Sequence, residues 1–273
     1  MKMSVNQRGA VVSVLIVLLN FLFLRMPSHS ADTFKITQEL DQEGFFKVTE
    51  DVYLKTLLTG GTRPTVLIIP SSGGTRGRYL GHTERKWGRQ LNRWGYNAVI
   101  IDYYTARGMK NGEGSGGMPW PPFDVRIKDV NHAISFIKGQ QWHNGSLGVI
   151  GFSKGGGMVI ELAKHPTSDI KAGVGLYPCC GCSAPRSDPE FDVQLHIGKN
   201  DELSLPELCE VSKKDRYSIF EYDGATHGFD VNRPGGDQLV QGGPRGSYFL
   251  RYNPEAAELS SQRTREFFAS RLR

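Results

Sequence analysis

Residues 151–155 read Gly-Phe-Ser-Lys-Gly, a G-x-S-x-G motif that can carry a nucleophilic serine. The motif stands between an apolar run ending at Ile150 and a helical pattern beginning near Met158, which is the strand–turn–helix context this nucleophile requires. Such a serine has a strained backbone, so the residues two before and two after it must lack colliding side chains. The motif predicts acyl-transfer chemistry at Ser153, with a tight structural turn as the alternative.

A serine becomes a nucleophile at neutral pH through a base, and the base needs an acid to orient it. Of the seven histidines, His227 is the one in a loop directly after the last predicted core strand. Asp201 follows the preceding strand at the same edge of the sheet, and its neighbour Glu202 is the competing acid. The sequence therefore predicts a triad of Ser153, Asp201 and His227.

Acyl transfer also needs backbone N–H groups that bind the developing oxyanion. We expect one from Lys154, directly after the serine, and the other from the Gly-containing loop 70–74, where Ser72 is preferred over Ser71. The loop lacks the lysine and hydroxyl partner of a phosphate-binding P-loop. Because fixed N–H dipoles would polarise the carbonyl, we expect no metal and no organic cofactor.

Short apolar runs that alternate with amphipathic helical patterns are predicted to position these residues. The predicted core strands are 66–69, 98–101, 147–150, 172–176, 193–197 and 217–222, with 48–58 as an antiparallel edge. A last helix has Asn253 as its N-cap. The alternation predicts an α/β fold with a mostly parallel central sheet and helices on both faces. Two Gly- and Pro-rich segments, 105–122 and 231–252, are expected to be irregular loops near the ligand-binding edge.

Several of these segments together resemble the dienelactone hydrolase family of α/β-hydrolases, over most of residues 66–268. The matching parts are the 70–74 loop, Asp102 with Arg107-Gly108, and residues 126–129, 151–156, 198–201 and 227–230. The resemblance implies the α/β-hydrolase fold, the Ser153, Asp201 and His227 triad, and cleavage of a carboxylic ester or lactone. The family's namesake enzymes use a cysteine nucleophile where this chain has a serine, which favours a general carboxylesterase over dienelactone cleavage.

All four cysteines lie within residues 179–209. One or two disulfides are expected, and the spacing alone does not choose among the three full pairings. Cys179 and Cys182 also form a C-x-x-C, for which a metal-binding or redox role is the alternative to a structural disulfide. The resemblance to a branch with Tyr-Pro-x-Cys at 177–180 and a cysteine after the acid implies a disulfide between Cys180 and Cys209.

Residues 1–30 have the pattern of a secretory signal peptide. Lys2 and Arg8 precede an apolar run over residues 11–24, and small residues at 28 and 30 allow cleavage before Ala31. We expect a secreted or periplasmic α/β-hydrolase domain of residues 31–273. An uncleaved anchor is the alternative and would be the protein's contact with a membrane, although fourteen residues fall short of a full span.

The formal net charge of +5 falls to +2 without the three basic residues of the leader. The remaining Lys and Arg are scattered among acids, so we expect no nucleic-acid partner. The expected partner is a small-molecule ester or lactone, and the sequence leaves the oligomeric state open. The alternatives are a serine peptidase or acyltransferase with the same triad, and an exported binding protein that keeps the fold without turnover.

Overall fold

The computed structural model describes residues 39–75, 81–109, 121–166, 169–185, 187–210 and 215–273. The predicted leader, its cleavage site and most of the predicted loop 105–122 lie outside these residues. Within them, no helix has the length and apolar character needed to cross a membrane.

Eight strands form the main sheet in the part of the chain that the structure describes. They are β1 (Phe46–Thr49), β2 (Val52–Leu57), β3 (Arg63–Ile69), β4 (Asn97–Asp102), β5 (His143–Phe152), β6 (Ile170–Leu176), β7 (Asp192–Gly198) and β8 (Tyr217–Tyr222). Their order across the sheet is β1-β2-β4-β3-β5-β6-β7-β8. Strands β3 to β8 run parallel to one another, whereas β1 and β2 form an antiparallel hairpin whose β2 pairs antiparallel with β4. The mostly parallel sheet and its antiparallel edge are therefore confirmed.

Among the described residues, four α-helices cover the two faces of this sheet: α1 (Gly81–Arg93), α2 (Phe123–Lys138), α3 (Lys154–Leu162) and α4 (Pro254–Arg271). Neighbouring residues of β3 belong to different hydrophobic cores because successive side chains of a strand point to opposite faces. Leu67 lies in the core shared with α2 and α3, and Ile68 lies in the core shared with α1 and α4. Central strands buried on both faces explain the continuous apolar runs in the sequence.

The last helix begins as the sequence predicts. Asn253 is its N-cap, and the side-chain oxygen of Asn253 accepts a hydrogen bond from the amide of Ala256 at 3.0 Å. Pro254 occupies the first helical position, where its missing N–H costs nothing. Phe268 and Leu272 then pack into the core beside α1.

The expectation of an irregular loop over 231–252 was wrong for much of that segment. Strands β9 (Gln238–Gly243) and β10 (Gly246–Leu250) form a separate antiparallel hairpin within it. Backbone amides at the end of the hairpin bond to side chains of the rest of the domain. The amide of Phe249 donates to the Glu202 carboxylate, and the amide of Arg251, directly after β10, donates to the Thr226 hydroxyl. A two-stranded hairpin is marginally stable by itself and depends on such tertiary contacts. Because these contacts come from residues distant along the chain, the local sequence pattern did not predict the hairpin.

Candidate active site

The G-x-S-x-G motif forms a sharp turn between β5 and α3. Ser153 has φ 53° and ψ −113°, a conformation that non-glycine residues rarely adopt, and its amide donates to the carbonyl of Leu176. A Cβ atom on Gly151 would lie 2.1 Å from the carbonyl oxygen of Gly155. A Cβ on Gly155 would lie 2.3 Å from the carbonyl oxygen of Ile69. The two motif glycines are therefore required by close backbone packing, and the turn holds Ser153 at the carboxyl edge of the sheet.

Three polar side chains meet at this edge from three different strand ends. His227, in the loop after β8, has Nε2 2.9 Å from the Oγ of Ser153. Its Nδ1 lies 2.8 Å from Oδ2 of Asp201, which follows β7. All three residues are buried, at 6% exposure or less. In this arrangement an imidazole can take the serine proton while the carboxylate fixes its tautomer.

The two adjacent acids after β7 have different partners. The second oxygen of the Asp201 carboxylate accepts the amides of Leu203 at 2.9 Å and Ser204 at 2.7 Å. These bonds hold the Asp201 side chain in place and leave Oδ2 directed at the histidine. The carboxylate of Glu202 instead accepts the amide of Phe249 on β10. Glu202 therefore binds the hairpin, and the structure brings Asp201 to the histidine.

The expected oxyanion donors lie on the two segments that flank Ser153. Lys154 is the first residue of α3, so its amide is at the helix N-terminus, where backbone N–H groups lack helical partners. Burial, together with the nearby Arg126 guanidinium, lowers the pKa of the Lys154 side chain to about 8. In the loop after β3, the amide of Ser71 donates to the Glu84 carboxyl group at 3.2 Å. Ser72 lines the same cavity as Ser153.

Ser153 and His227 line a cavity of about 1120 Å³. One wall comes from the loop after β3 and the beginning of α1, and another from the hairpin through Gln238, Tyr248 and Leu250. Arg233 also lines the cavity, and its guanidinium donates to the backbone carbonyls of Gly228 and Val231. Burial lowers the pKa of Arg233. The sequence placed segment 231–252 near the ligand-binding edge but did not indicate the hairpin, because the hairpin depends on how this segment folds back.

Tyr177 and Asp230 are two further buried residues beside His227 that were not predicted as site residues. The ring of Tyr177 lies edge-on to the imidazole of His227, with ring centroids 5.0 Å apart. The hydroxyl of Tyr177 donates to Asp230 at 3.0 Å, and the other oxygen of that carboxylate accepts the indole N–H of Trp87 at 2.7 Å. Asp230 belongs to the matching run 227–230, which was the available sequence signal.

The four cysteines form two disulfides beside the serine turn. Cys180 pairs with Cys209, and Cys179 pairs with Cys182. The first pair is buried, whereas Cys182 is exposed. Among the side chains described, no group of three or more His, Cys, Asp or Glu is placed to hold a metal ion.

The eight-stranded sheet, its covering helices and the serine turn define an α/β-hydrolase. The sequence profile of the dienelactone hydrolase family matches residues 51–272. The chain therefore belongs to the dienelactone hydrolase family, as the sequence motifs indicated, and it is a hydrolase. No curated protein matches it.

Solved structures support the same fold at low sequence identity. A protein assigned as a dienelactone hydrolase from Klebsiella pneumoniae is 19% identical, with 80% of this chain and 92% of that chain covered and a TM-score of 0.58. A dienelactone hydrolase-like promiscuous phosphotriesterase from metagenomic libraries is 17% identical, with 81% and 93% covered and a TM-score of 0.57. A thermophilic esterase from Thermogutta terrifontis, solved with propionate bound, is 13% identical, with 83% and 93% covered and a TM-score of 0.57.

Proposed function

We propose that this protein is an exported serine hydrolase that cleaves a carboxylic ester or lactone through an acyl-enzyme. The observation that carries the proposal is the continuous hydrogen-bonded series from Ser153 through His227 to Asp201, with separations of 2.9 and 2.8 Å. The series lies at the base of a cavity large enough for a small-molecule ester. Family membership supports the same class of reaction.

In the proposed reaction, the Oγ of Ser153 attacks the ester carbonyl carbon as its proton passes to Nε2 of His227. The negative charge on the carbonyl oxygen is stabilised by the amides of Lys154 and Ser72. The Ser71 amide already binds Glu84, which favours Ser72 as the donor from that loop. The imidazolium, stabilised by Asp201, then protonates the leaving alkoxide.

The second half of the reaction restores the enzyme. A water molecule gives its proton to the Nε2 of His227 and attacks the acyl carbon, forming a second oxyanion at the same amides. Collapse of this intermediate breaks the bond to the serine oxygen, which regains its proton from His227. The products are the free carboxylic acid and unmodified Ser153.

We further propose that residues 1–30 are a cleaved signal peptide and that residues 31–273 form the mature hydrolase domain, secreted or periplasmic. Two disulfides in one domain support an oxidising compartment, because such bonds rarely persist in the cytosol. N-terminal sequencing of the exported protein tests this directly. A mature chain that begins at Ala31 would support the assignment, and one that retains Met1 would contradict it.

The catalytic proposal is tested by hydrolysis of p-nitrophenyl acetate and butyrate by the wild type, Ser153→Ala and Ser135→Ala. Ser135 is an exposed residue of α2, so its variant controls for a serine-to-alanine change remote from the site. Ser153→Ala is expected to lose kcat by several orders of magnitude, up to about 10⁶. Equal rates for Ser153→Ala and the wild type would exclude Ser153 as the nucleophile.

A substrate panel separates the proposed activity from its alternatives. Amide cleavage faster than ester cleavage would indicate a peptidase, and product esters formed with an added alcohol would indicate an acyltransferase. A folded wild-type protein that binds esters without turnover would indicate a binding protein. We expect faster ester hydrolysis, because the alkoxide is the better leaving group.

A further inference from the structure

A buried glutamate lies directly behind the loop that is proposed to bind the oxyanion. Glu84, on α1, is fully buried, and its Oε1 accepts the amide of Ser71 at 3.2 Å. Ser71 immediately precedes Ser72, the proposed donor. The other carboxyl oxygen of Glu84 is buried and has no hydrogen-bond partner among the residues that the structure describes. A carboxylate with an unsatisfied buried oxygen is strongly disfavoured, whereas the neutral acid tolerates this surrounding better.

The charges that face Glu84 do not offset this effect of burial. The nearby backbone amides of Glu84 itself and of Ser71 favour the ionised form, and so does Arg85, whereas Asp230, in the loop that carries His227, opposes it. The charge of Glu84 also contributes to raising the pKa of Tyr177, which lies in the segment after β6 and whose pKa is raised mainly by burial. Burial is the largest effect and raises the pKa of Glu84 to about 8. The carboxyl group of Glu84 is therefore mainly neutral at pH 7.

The same helix also holds the loop that carries the histidine. The ammonium group of Lys86 donates to the backbone carbonyl of Asp230 at 2.7 Å, and the indole of Trp87 donates to the Asp230 carboxylate at 2.7 Å. The first half of α1 thus binds the oxyanion loop through Glu84 and the histidine loop through Lys86 and Trp87. A change at Glu84 acts on a helix that contacts both sides of the site.

We propose that Glu84 is a positioning residue whose neutral carboxyl group fixes the Ser71 amide and the oxyanion loop, and whose ionisation slows the reaction of Ser153. This inference rests on the proposed function. Ionisation would place an uncompensated buried negative charge one residue from the amide that binds the oxyanion, and the two like charges would repel each other. Glutamine at this position keeps the acceptor and cannot ionise.

The test uses an alkyl fluorophosphonate, because its phosphoryl oxygen occupies the oxyanion site during reaction. The Oγ of Ser153 bonds to phosphorus, the P–F bond breaks, fluoride leaves and the serine proton passes to His227. Labelling rates are measured from pH 6 to 9.5 for the full chain, Glu84→Gln and Arg89→Gln. Arg89 is an exposed residue of α1 and provides the matched control on the same helix.

We expect the Glu84→Gln rate to be within a few-fold of the wild-type rate at pH 6.5. At pH 9 the ratio of the Glu84→Gln rate to the wild-type rate is expected to rise about tenfold, as a group with a pKa near 8 ionises. Lys154 titrates in the same range but is common to both proteins, so the ratio isolates Glu84. Arg89→Gln should follow the wild type at every pH.

Two results would overturn the inference in different ways. An unchanged ratio between pH 6.5 and 9, with Ser153 labelled in both proteins, would overturn the role of Glu84 and leave the proposed function standing. No labelling of Ser153 at any pH would overturn both.

A third variant, Glu84→Ala, removes the acceptor of the Ser71 amide. It should lose at least about tenfold in rate at pH 6.5, since complete removal of an oxyanion donor costs about 10²- to 10³-fold, while thermal unfolding verifies that it is folded.

Discussion

The backbone amide of Cys179 donates a hydrogen bond to the backbone carbonyl of Ser153, with the two atoms 2.9 Å apart. This bond places the disulfide-linked segment 177–183 directly against the serine turn. Gly157 of α3 lies at the same contact, where a Cβ would come within 2.9 Å of the Cys179 carbonyl oxygen. Close approach of this segment thus explains the glycine at position 157.

The two disulfides are expected to contribute unequally to stability. Cys180–Cys209 closes a separation of 29 residues and Cys179–Cys182 one of 3, and longer loops lose more entropy on cross-linking. Replacing the first pair with alanines should lower the free energy of unfolding by roughly 3 kcal/mol, and the second pair by roughly 1 to 2 kcal/mol. Urea unfolding of the two double variants measures both values. Equal losses would contradict the loop-length argument.

Asp201 and Glu202 provide a matched pair of acids for testing the triad. Asp201→Asn should leave the fold intact and reduce kcat about 10⁴-fold, because the amide favours the wrong tautomer of His227. Glu202→Gln should change kcat only a few-fold, since Glu202 contacts Phe249 on the hairpin. Ester hydrolysis at pH 7.5 distinguishes them. A larger loss for Glu202→Gln would reverse the assignment of the acid.

Adjacent aromatic residues on β10 test whether the hairpin selects the substrate. Tyr248 lines the cavity, whereas Phe249 is 41% exposed, because alternate strand residues point to opposite faces. Tyr248→Ala should raise KM for bulky aryl esters several-fold and leave acetate esters nearly unchanged. Phe249→Ala is the control on the opposite face. Identical KM values for Tyr248→Ala and the wild type across the ester series would exclude this wall from substrate binding.

A buried histidine remote from the site should control acid stability. His196, in β7, is fully buried, and its ring nitrogens bond to Tyr222 and Gln194. Burial lowers the pKa of His196 to about 3, so the unfolded chain binds a proton more readily between pH 6.5 and 3. Stability from this group is therefore present above pH 6.5 and is lost as pH falls.

The measurement is urea unfolding at pH 6.5 and 4.5 for the wild type, His196→Gln and His132→Gln. The wild type should lose roughly 2 kcal/mol more over this interval than His196→Gln, even if that variant is less stable at pH 6.5. His132 is an exposed residue of α2. The His132→Gln variant should therefore lose as much free energy of unfolding over this pH interval as the wild type. An equal pH dependence in all three proteins would show that His196 does not contribute to acid unfolding.

Local features of the sequence were enough to predict the scaffold and the catalytic candidates. Parallel strands were evident from apolar runs, and the N-cap at Asn253 from residue type, because both depend on neighbours along the chain. A further rule led to the choice of Ser153, Asp201 and His227 as candidates. Loops after parallel strands share one edge of the sheet, so residues that immediately follow such strands are brought together.

The sequence by itself determined the fold family, the serine turn and the strand ends from which its partners come. Tertiary structure decided which of two adjacent acids, Asp201 or Glu202, faces the histidine, since their chemistry is alike and only the backbone direction after β7 separates them. It also decided the hairpin wall of the cavity and the contact of Glu84 with Ser71. These features join segments distant along the chain, and they form only when the packing of both cores has set the positions of α1 and the hairpin.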